Sequence, residues 1–273
     1  MDTIPSSLQI RILIFRRWHY PKTWGGPGVR SPFNRLYWLD RGCGLVAHER
    51  QRVELRPGRL YLFPANQTAD YSCSTPINLA WIHFNAGLFG GAMDITQIVQ
   101  MPLALTPSNP RFIAGLWDRF MRAEAPDDFA TNVERDGIIR QMLACFLRSA
   151  QETETFLTQR IRHFGRFHSV LTYIDDHLCE RLTLVELARV MHLQPNYFSN
   201  LFCRHFGVPP LHYLQRRRVE RAQFRLHDTA AGVAEIAAEL GFCDQFHFSR
   251  VFRAITGCSP LQYRKNRLQP DQG

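Results

Sequence analysis

A chain of 273 residues has room for two domains of roughly 100–200 residues each, and its 45% apolar share excludes disorder as the default state. Thirty-three Lys/Arg against 24 Asp/Glu give a formal net charge of +9, a balance that favours a polyanionic partner such as nucleic acid or an anionic membrane. No apolar run approaches the roughly 18–20 residues of a membrane span, and the opening MDTIPSSLQIRILIFRR lacks a basic segment ahead of its apolar stretch, so it does not read as a signal peptide and a cytoplasmic location is expected.

Residues 8–85 carry strand signals: LQIRILIF, NRLYWLD, GLVAHE, RVEL, RLYLF and INLAWIHF, separated by Gly, Pro and Asn turns. Many short strands at this spacing predict an antiparallel barrel or jelly roll. A barrel mouth suits a small ligand. Tyr37, Trp38, Tyr61, Tyr71, Trp81 and His83 are the candidates for lining it, and aromatic faces with a few polar groups suit a sugar or an aromatic effector. Trp81 and His83 share one strand face by the period of two. There is no convergent nucleophile–base pair and no glycine-rich phosphate loop, so binding without catalysis is expected, with no cofactor and no metal. The seven cysteines are scattered, odd in number and never spaced C-x-x-C, which argues against a disulfide framework and a zinc ribbon.

Two helices are predicted over 110–150. Phe112, Leu116 and Phe120 mark the first, with Ile113 and Trp117 beside them, and Ile138, Met142, Cys145 and Phe146 mark the second. The plain reading of two such helices is that they cover the barrel. The stretch that follows, polar at its start, is an expected interdomain link, giving a barrel domain over 1–155, a linker over 156–167 and a second domain over 168–268.

That second domain holds an internal repeat. Glu186-Leu187-Ala188 falls on Glu235-Ile236-Ala237 at an offset of 49, and Phe198-Ser199, Phe202, Gly207, Pro210-Leu211 and Tyr213 fall on Phe248-Ser249, Phe252, Gly257, Pro260-Leu261 and Tyr263 at an offset of 50. Thr183 followed by Glu186 is a capping box, and in the second copy Gly232 takes the cap position ahead of Glu235. Gly241 suits the left-handed residue that ends a helix. Each copy is therefore two short helices joined by a tight turn, a helix-turn-helix. The second helix of each buries Phe198, Leu201, Phe202 and His205, or Phe248, Val251, Phe252 and Ile255.

The opposite face of each second helix is the candidate DNA surface. Asn196, Ser199 and Asn200 in copy one, and Gln245, Phe246, His247, Ser249 and Arg250 in copy two, are placed to reach base edges. Between the copies, PPLHYLQRRRVERAQFRL predicts a helix with Leu211, Leu214, Val219, Ala222 and Leu226 inward and Arg216, Arg217, Arg218, Arg221 and Arg225 outward. Arg204, Arg216, Arg217, Arg218, Arg221, Arg253 and Arg264 are the candidates for phosphate contacts. From Arg181 to Leu268 the chain holds 13 Lys/Arg against 6 Asp/Glu, so most of the charge imbalance sits here.

Residues from about 168 to 266 resemble the tandem helix-turn-helix domain of the AraC/XylS family of bacterial transcription regulators. The residues that carry the resemblance are ELA at 186–188, Phe198-Ser199-x-x-Phe202, Arg218-Val219-x-x-Ala222, Glu235-Ile236-Ala237, Gly241-Phe242, Phe248-Ser249-Arg250-x-Phe252, Gly257-x-Ser259-Pro260 and Tyr263-Arg264. Gln194-Pro195 departs from the family's frequent Ser-Pro, which weakens the cap of the first recognition helix. Leu55-Arg56-Pro57-Gly58, Tyr61–Asn66 and Trp81-Ile82-His83-Phe84 are similar to the cupin-like effector domain common at this end of the family. The resemblance implies an α+β chain: an N-terminal cupin-like barrel with two flanking helices, then an all-α domain of two helix-turn-helix units joined by a long helix. It further implies double-stranded DNA, a small-molecule effector and RNA polymerase as partners, a homodimer, and activation of transcription. Two competing readings are a DNA-binding protein whose barrel serves only assembly, and a cupin metalloenzyme fused to a DNA-binding domain. Against the second, His48 stands alone and Thr68 sits near where the later cupin histidine is expected.

Overall fold

The computed structural model describes residues 8–48, 51–88, 93–122, 128–150, 159 and 164–268, and the chain divides into two compact units, Met1–Arg160 and Ile161–Pro270. The class is α+β. Ten strands of the first unit are described: β1 (Gln9–Tyr20), β2 (Gly25–Arg30), β3 (Asn34–Arg41), β4 (Gly44–His48), β5 (Gln51–Leu55), β6 (Leu60–Phe63), β7 (Thr68–Cys73), β8 (Ile77–Leu88), β9 (Met93–Asp94) and β10 (Ala104–Leu105). They form two antiparallel sheets, one ordered β1-β8-β3-β6-β10 with β9 on β8, the other β2-β7-β4-β5. Side chains from both sheets meet in one core of Tyr20, Trp24, Tyr37, Leu39, Val46, Leu55, Tyr61, Phe63, Tyr71, Leu79 and Trp81.

The larger sheet is buried on both faces. Tyr37 and Leu39 point into that core, while Leu36, Trp38, Ala80 and Ile82 are buried on the other side. Three helices are described here: α1 (Ile95–Ile98), α2 (Pro110–Arg122) and α3 (Phe129–Arg148). The Phe120 ring of α2 meets Phe15 of β1 edge-on at 5.0 Å, and Arg135 of α3 lies 4.5 Å over the same Phe15 ring. Helix α2 buries Ile113, Leu116, Trp117 and Phe120, whereas Phe112, expected inward, is exposed. Its amide bonds the Asn109 side chain at the helix start, which fixes the helical phase and turns the ring outward. Cys145 of α3 is only half-buried, and Ile139 and Leu143 join Ile138, Met142 and Phe146 on the covered face. Asp94 ties β9 to β3 and β8: it accepts from the Asn34 amide at 2.8 Å, from the Ala86 N–H at 2.8 Å and from Thr96.

The second unit is helical: α4 (His168–Asp176), α5 (Leu184–Val190), α6 (Pro195–Phe206), α7 (Pro210–Asp228), α8 (Val233–Glu239), α9 (Gln245–Thr256) and α10 (Pro260–Leu268). Residues 156–158 and 160–163 of the expected linker lie outside the described residues. Its last part does not act as linker: Phe164 and Phe167 are buried, their rings packed on Phe206 and Phe202.

The repeat reappears in the hydrogen bonds. Helices α5 and α8 end alike, with Leu193 N–H donating to the Ala188 carbonyl and Phe242 N–H to the Ala237 carbonyl, both at 3.0 Å. The residue that turns left-handed is Gly241 in the second copy (φ 70°) but His192 in the first (φ 54°). The cores match ring for ring: Phe198–Phe202–Tyr213 pack edge to face at 5.6 and 5.5 Å, and Phe248–Phe252–Tyr263 do so at 5.5 and 5.5 Å. Thr183 and Glu186 complete the capping box of α5. At α8 only the half open to a glycine is made, Gly232 N–H to the Glu235 carboxylate at 3.2 Å. Leu201, His205, Val251 and Ile255 are half-buried, and Leu211, expected inward on α7, is exposed.

Candidate DNA interface and effector pocket

Each helix-turn-helix presents the start of its second helix. On α9 the Asp244 carboxylate caps the helix, accepting the His247 N–H at 2.6 Å, and that bond holds its pKa below the ordinary carboxylate value. This fixed first turn displays Gln245 and Phe246, the latter 80% exposed, with Arg250 and Arg253 one and two turns further on and His247 and Ser249 half-buried beside them. Such an edge offers an amide and a guanidinium to base acceptors and an apolar ring to a thymine methyl. On α6 the expected contacts Asn196, Asn200 and Arg204 are exposed, with Ser199 half-buried. Gln194 makes no side-chain cap there, and Pro195 occupies the first turn. Tyr197, 59% exposed between the expected contacts, is a further candidate that the offset of 50 could have flagged by aligning it with His247.

The arginines of α7 divide into two groups. Arg221 is exposed and Arg216 half-exposed, so both remain candidates for phosphate. Arg218 is corrected: it is 8% exposed, and its guanidinium donates to the carbonyls of Leu178 at 2.7 Å, Glu180 at 2.5 Å and Gly241 at 2.9 Å. It ties the loop before α5 to the turn after α8, and so fixes the two reading units against each other. Burial pushes its pKa down. Arg217 is likewise removed from the phosphate set, because Asp175 holds it at 2.9 and 3.0 Å and Glu220 at 2.7 Å. Arg225, expected outward, is paired with Glu239 at 2.8 Å. Arg264 donates to the Ala231 carbonyl at 2.5 Å, which ties α10 to the start of the second copy. A periodic run of arginines on α7 therefore hides two structural struts.

In the barrel five of the six expected effector residues lie on the interior side, and Trp38 does not. Tyr37, Tyr61, Tyr71 and Trp81 share the core. The Tyr61 hydroxyl is taken up by the turn after β5: it donates toward the Glu54 and Arg56 carbonyls at 3.0 and 3.1 Å and accepts the Arg56 N–H at 2.6 Å. Burial raises its pKa. Trp38 faces the other side of its sheet, where its indole donates to Asp40, itself paired with Arg17 at 3.3 Å. The Trp81 indole donates to the Tyr20 hydroxyl at 2.8 Å. His83 is half-buried and stacks on Trp81 at 4.3 Å on one side and Phe33 at 4.5 Å on the other. The face that Trp81 and His83 share thus points inward. Behind this stack lies Arg35, buried and hydrogen-bonded to the Tyr71 hydroxyl at 3.1 Å, which the strand pattern alone gave no reason to single out.

A separate cleft of about 620 Å³ is lined by His48, Arg52, Arg59, Thr96, Gln100 and Ser149 among others, and by none of the six aromatic candidates. Among the described residues no three His, Cys, Asp or Glu side chains cluster in a way that could hold a metal ion, and no helix is long and apolar enough to cross a membrane.

Residues 18–155 match the model of an AraC-like ligand binding domain, and residues 187–266 match that of a helix-turn-helix domain. The chain is 24% identical over 248 residues to the raffinose operon transcriptional regulatory protein RafR of Pediococcus pentosaceus, covering 89% of this chain and 88% of that protein. It is 24% identical over 233 residues to the arabinose operon regulatory protein of Escherichia coli K12, covering 82% and 77%. The solved structure of wild-type ToxT from Vibrio cholerae shares the fold with a TM-score of 0.57 at 10% identity, covering 94% of this chain and 96% of that one. The two family models mark a ligand-binding domain followed by a helix-turn-helix domain in this chain, and the chain belongs to the AraC family of effector-responsive, DNA-binding transcription regulators.

Proposed function

We propose that this regulator works as a cytoplasmic homodimer without catalytic activity, reading DNA through the exposed starts of α6 and α9. The duplicated helix start carries the proposal: Asn196 and Asn200 on one copy, Gln245, Phe246 and Arg250 on the other, presented on units that Arg218 holds rigidly together. Nineteen residues of α7 span about 28 Å, which with the width of the units suits two adjacent major-groove turns about 34 Å apart. Arg204, Arg216, Arg221 and Arg253 make the accompanying phosphate contacts.

The barrel binds a small molecule at its aromatic face, and that binding shifts the population of arrangements in which a dimer spans its half-sites. The relatives named for raffinose and arabinose operons support a small-molecule effector. Phe112, Phe129 and Val133, exposed on α2 and α3, form the apolar face that joins two protomers. On DNA the dimer recruits RNA polymerase. Selection of bound duplexes from a random pool by the full-length protein tests the reading: it is expected to enrich a site with two conserved elements about 10–10.5 base pairs apart. A bound pool indistinguishable from the input at physiological salt would sink it.

A further inference from the structure

Strand β3 carries Arg35 into the barrel interior in line with Tyr37 and Leu39, at 5% exposure. Its guanidinium donates to the Tyr71 hydroxyl at 3.1 Å and to the Ser31 hydroxyl. The charge lies 5.3 Å from the Tyr71 ring centre and 5.6 Å from that of Phe33. Among the described residues it pairs with no carboxylate. The contrast with other arginines is direct. Arg17 has Asp40 and Asp118, Arg217 has Asp175 and Glu220, and Arg218 has three carbonyls. A buried charge met only by neutral hydroxyls and ring faces is costly to the fold, which marks it as a place where a missing countercharge belongs.

The surroundings say what the countercharge is attached to. His83 is the cross-strand partner of Arg35, and its ring lies in a continuous stack between Phe33 and Trp81, with interplanar angles of 24° and 27°. Phe33, His83 and Ser31 are half-buried, while Arg35, Tyr71 and Trp81 lie behind them. Three stacked rings, two of them half-buried, thus lie beside a buried guanidinium. The separate 620 Å³ cleft has no Phe, Tyr or Trp in its lining.

We infer that Arg35 anchors the acidic group of the effector, so that the barrel takes a small carboxylate with a flat, unsaturated body rather than a neutral sugar. The inference rests on the reading of the barrel as the effector site. The carboxylate replaces the Ser31 hydroxyl on the guanidinium fork, whose geometry matches two carboxylate oxygens. The flat body lies along the half-buried edges of the Phe33 and His83 rings, and the Tyr71 hydroxyl stays within reach of the same fork.

Calorimetric titration of the full-length protein with benzoate and cinnamate, beside benzamide and cinnamamide as neutral shape matches and arabinose and raffinose as neutral sugars, tests this. Acids are expected to bind at least about tenfold more tightly than their amides, because a hydrogen-bonded ion pair is at stake. Arg35→Met is expected to melt at or above the wild-type temperature without ligand and to lose acid binding by about tenfold or more; a purely structural arginine would instead lower the melting temperature. Acids and amides bound alike, acids bound equally by Arg35→Met, or a sugar bound in preference to every acid would overturn the anchor and leave the barrel as effector site. If Arg35→Met does not fold, the acid–amide comparison on the wild-type chain decides alone. Binding of none of these compounds would fail both the anchor and the effector site it rests on.

Discussion

Replacing Arg218 by Ala separates a structural strut from a phosphate contact. The guanidinium makes three hydrogen bonds to main-chain carbonyls, at 2.5, 2.7 and 2.9 Å, and lies 5.7 Å over the Phe242 ring. A hydrogen bond from a charged donor contributes about 1.5–3 kcal/mol net. The three share one side chain and one desolvation cost, so the sum is not realised, and a loss of about 3 kcal/mol is expected on truncation. Against the 5–15 kcal/mol typical of a domain that is a large fraction. It corresponds to a fall of more than about 10 °C in the melting temperature of the helical unit, read by circular dichroism on the full-length chain. DNA affinity extrapolated to fully folded protein should keep its salt dependence, because this arginine reaches no phosphate. Arg221→Ala, at an exposed position on the same helix, should melt normally and make the slope of log K against log salt shallower by about one. If Arg218→Ala melts like the wild type and loses one unit of salt slope, the strut is refuted.

Other consequences follow from single residues. His192→Gly should raise stability by about 0.5 kcal/mol, since about 1–2 kcal/mol of left-handed strain is relieved and about 0.5–1 kcal/mol of backbone entropy opposes it; urea unfolding checks this. Gly241→Ala should cost at least about 2 kcal/mol in the same assay, because a Cβ there would lie 2.4 Å from the Cys179 carbonyl oxygen at φ 70°. Arg250→Ala should weaken binding to the selected site by about 1–3 kcal/mol and relax base preference at one position, measured by anisotropy against single-base variants of the duplex. Arg250→Ala binding every variant as the wild type does would remove it from the reading surface.

Much of the helical unit is legible in sequence because it is written twice. The offsets of 49 and 50 locate both turns, both aromatic pairs and both recognition helices, and a pattern that recurs is hard to mistake for chance. The arginines of α7 were not separable in this way. Arg217 and Arg218 carry the same charge as Arg221, and only the third dimension shows that Asp175 and three carbonyls hold two of them. In the barrel, continuous apolar runs gave β1, β3 and β8. Strands β2 and β7 were missed because GGPGVR and TADYSC hold Gly, Pro, Asp and Ser, residues that signal turns. Their places come from pairing instead, Val29 against Ala69 and Val46 against Tyr71. Aromatic content pointed to the core but not to its faces: Trp38 and Tyr37 are adjacent, and alternation sends them to opposite sides. Arg35 was illegible for the same reason, since a charge in a strand reads as solvent-facing until the register is known.

The central claim is that one chain couples ligand in the barrel to reading of a specific DNA site. Footprinting of the full-length protein on the promoter DNA beside its own gene tests it most directly, at physiological salt with nonspecific competitor and with a panel of small acids and sugars present or absent. A protected site whose extent or affinity changes with one compound is the predicted result. Specific protection that no compound alters, together with no compound binding the barrel, would contradict the coupling, and no specific site across the genome would contradict the DNA reading itself.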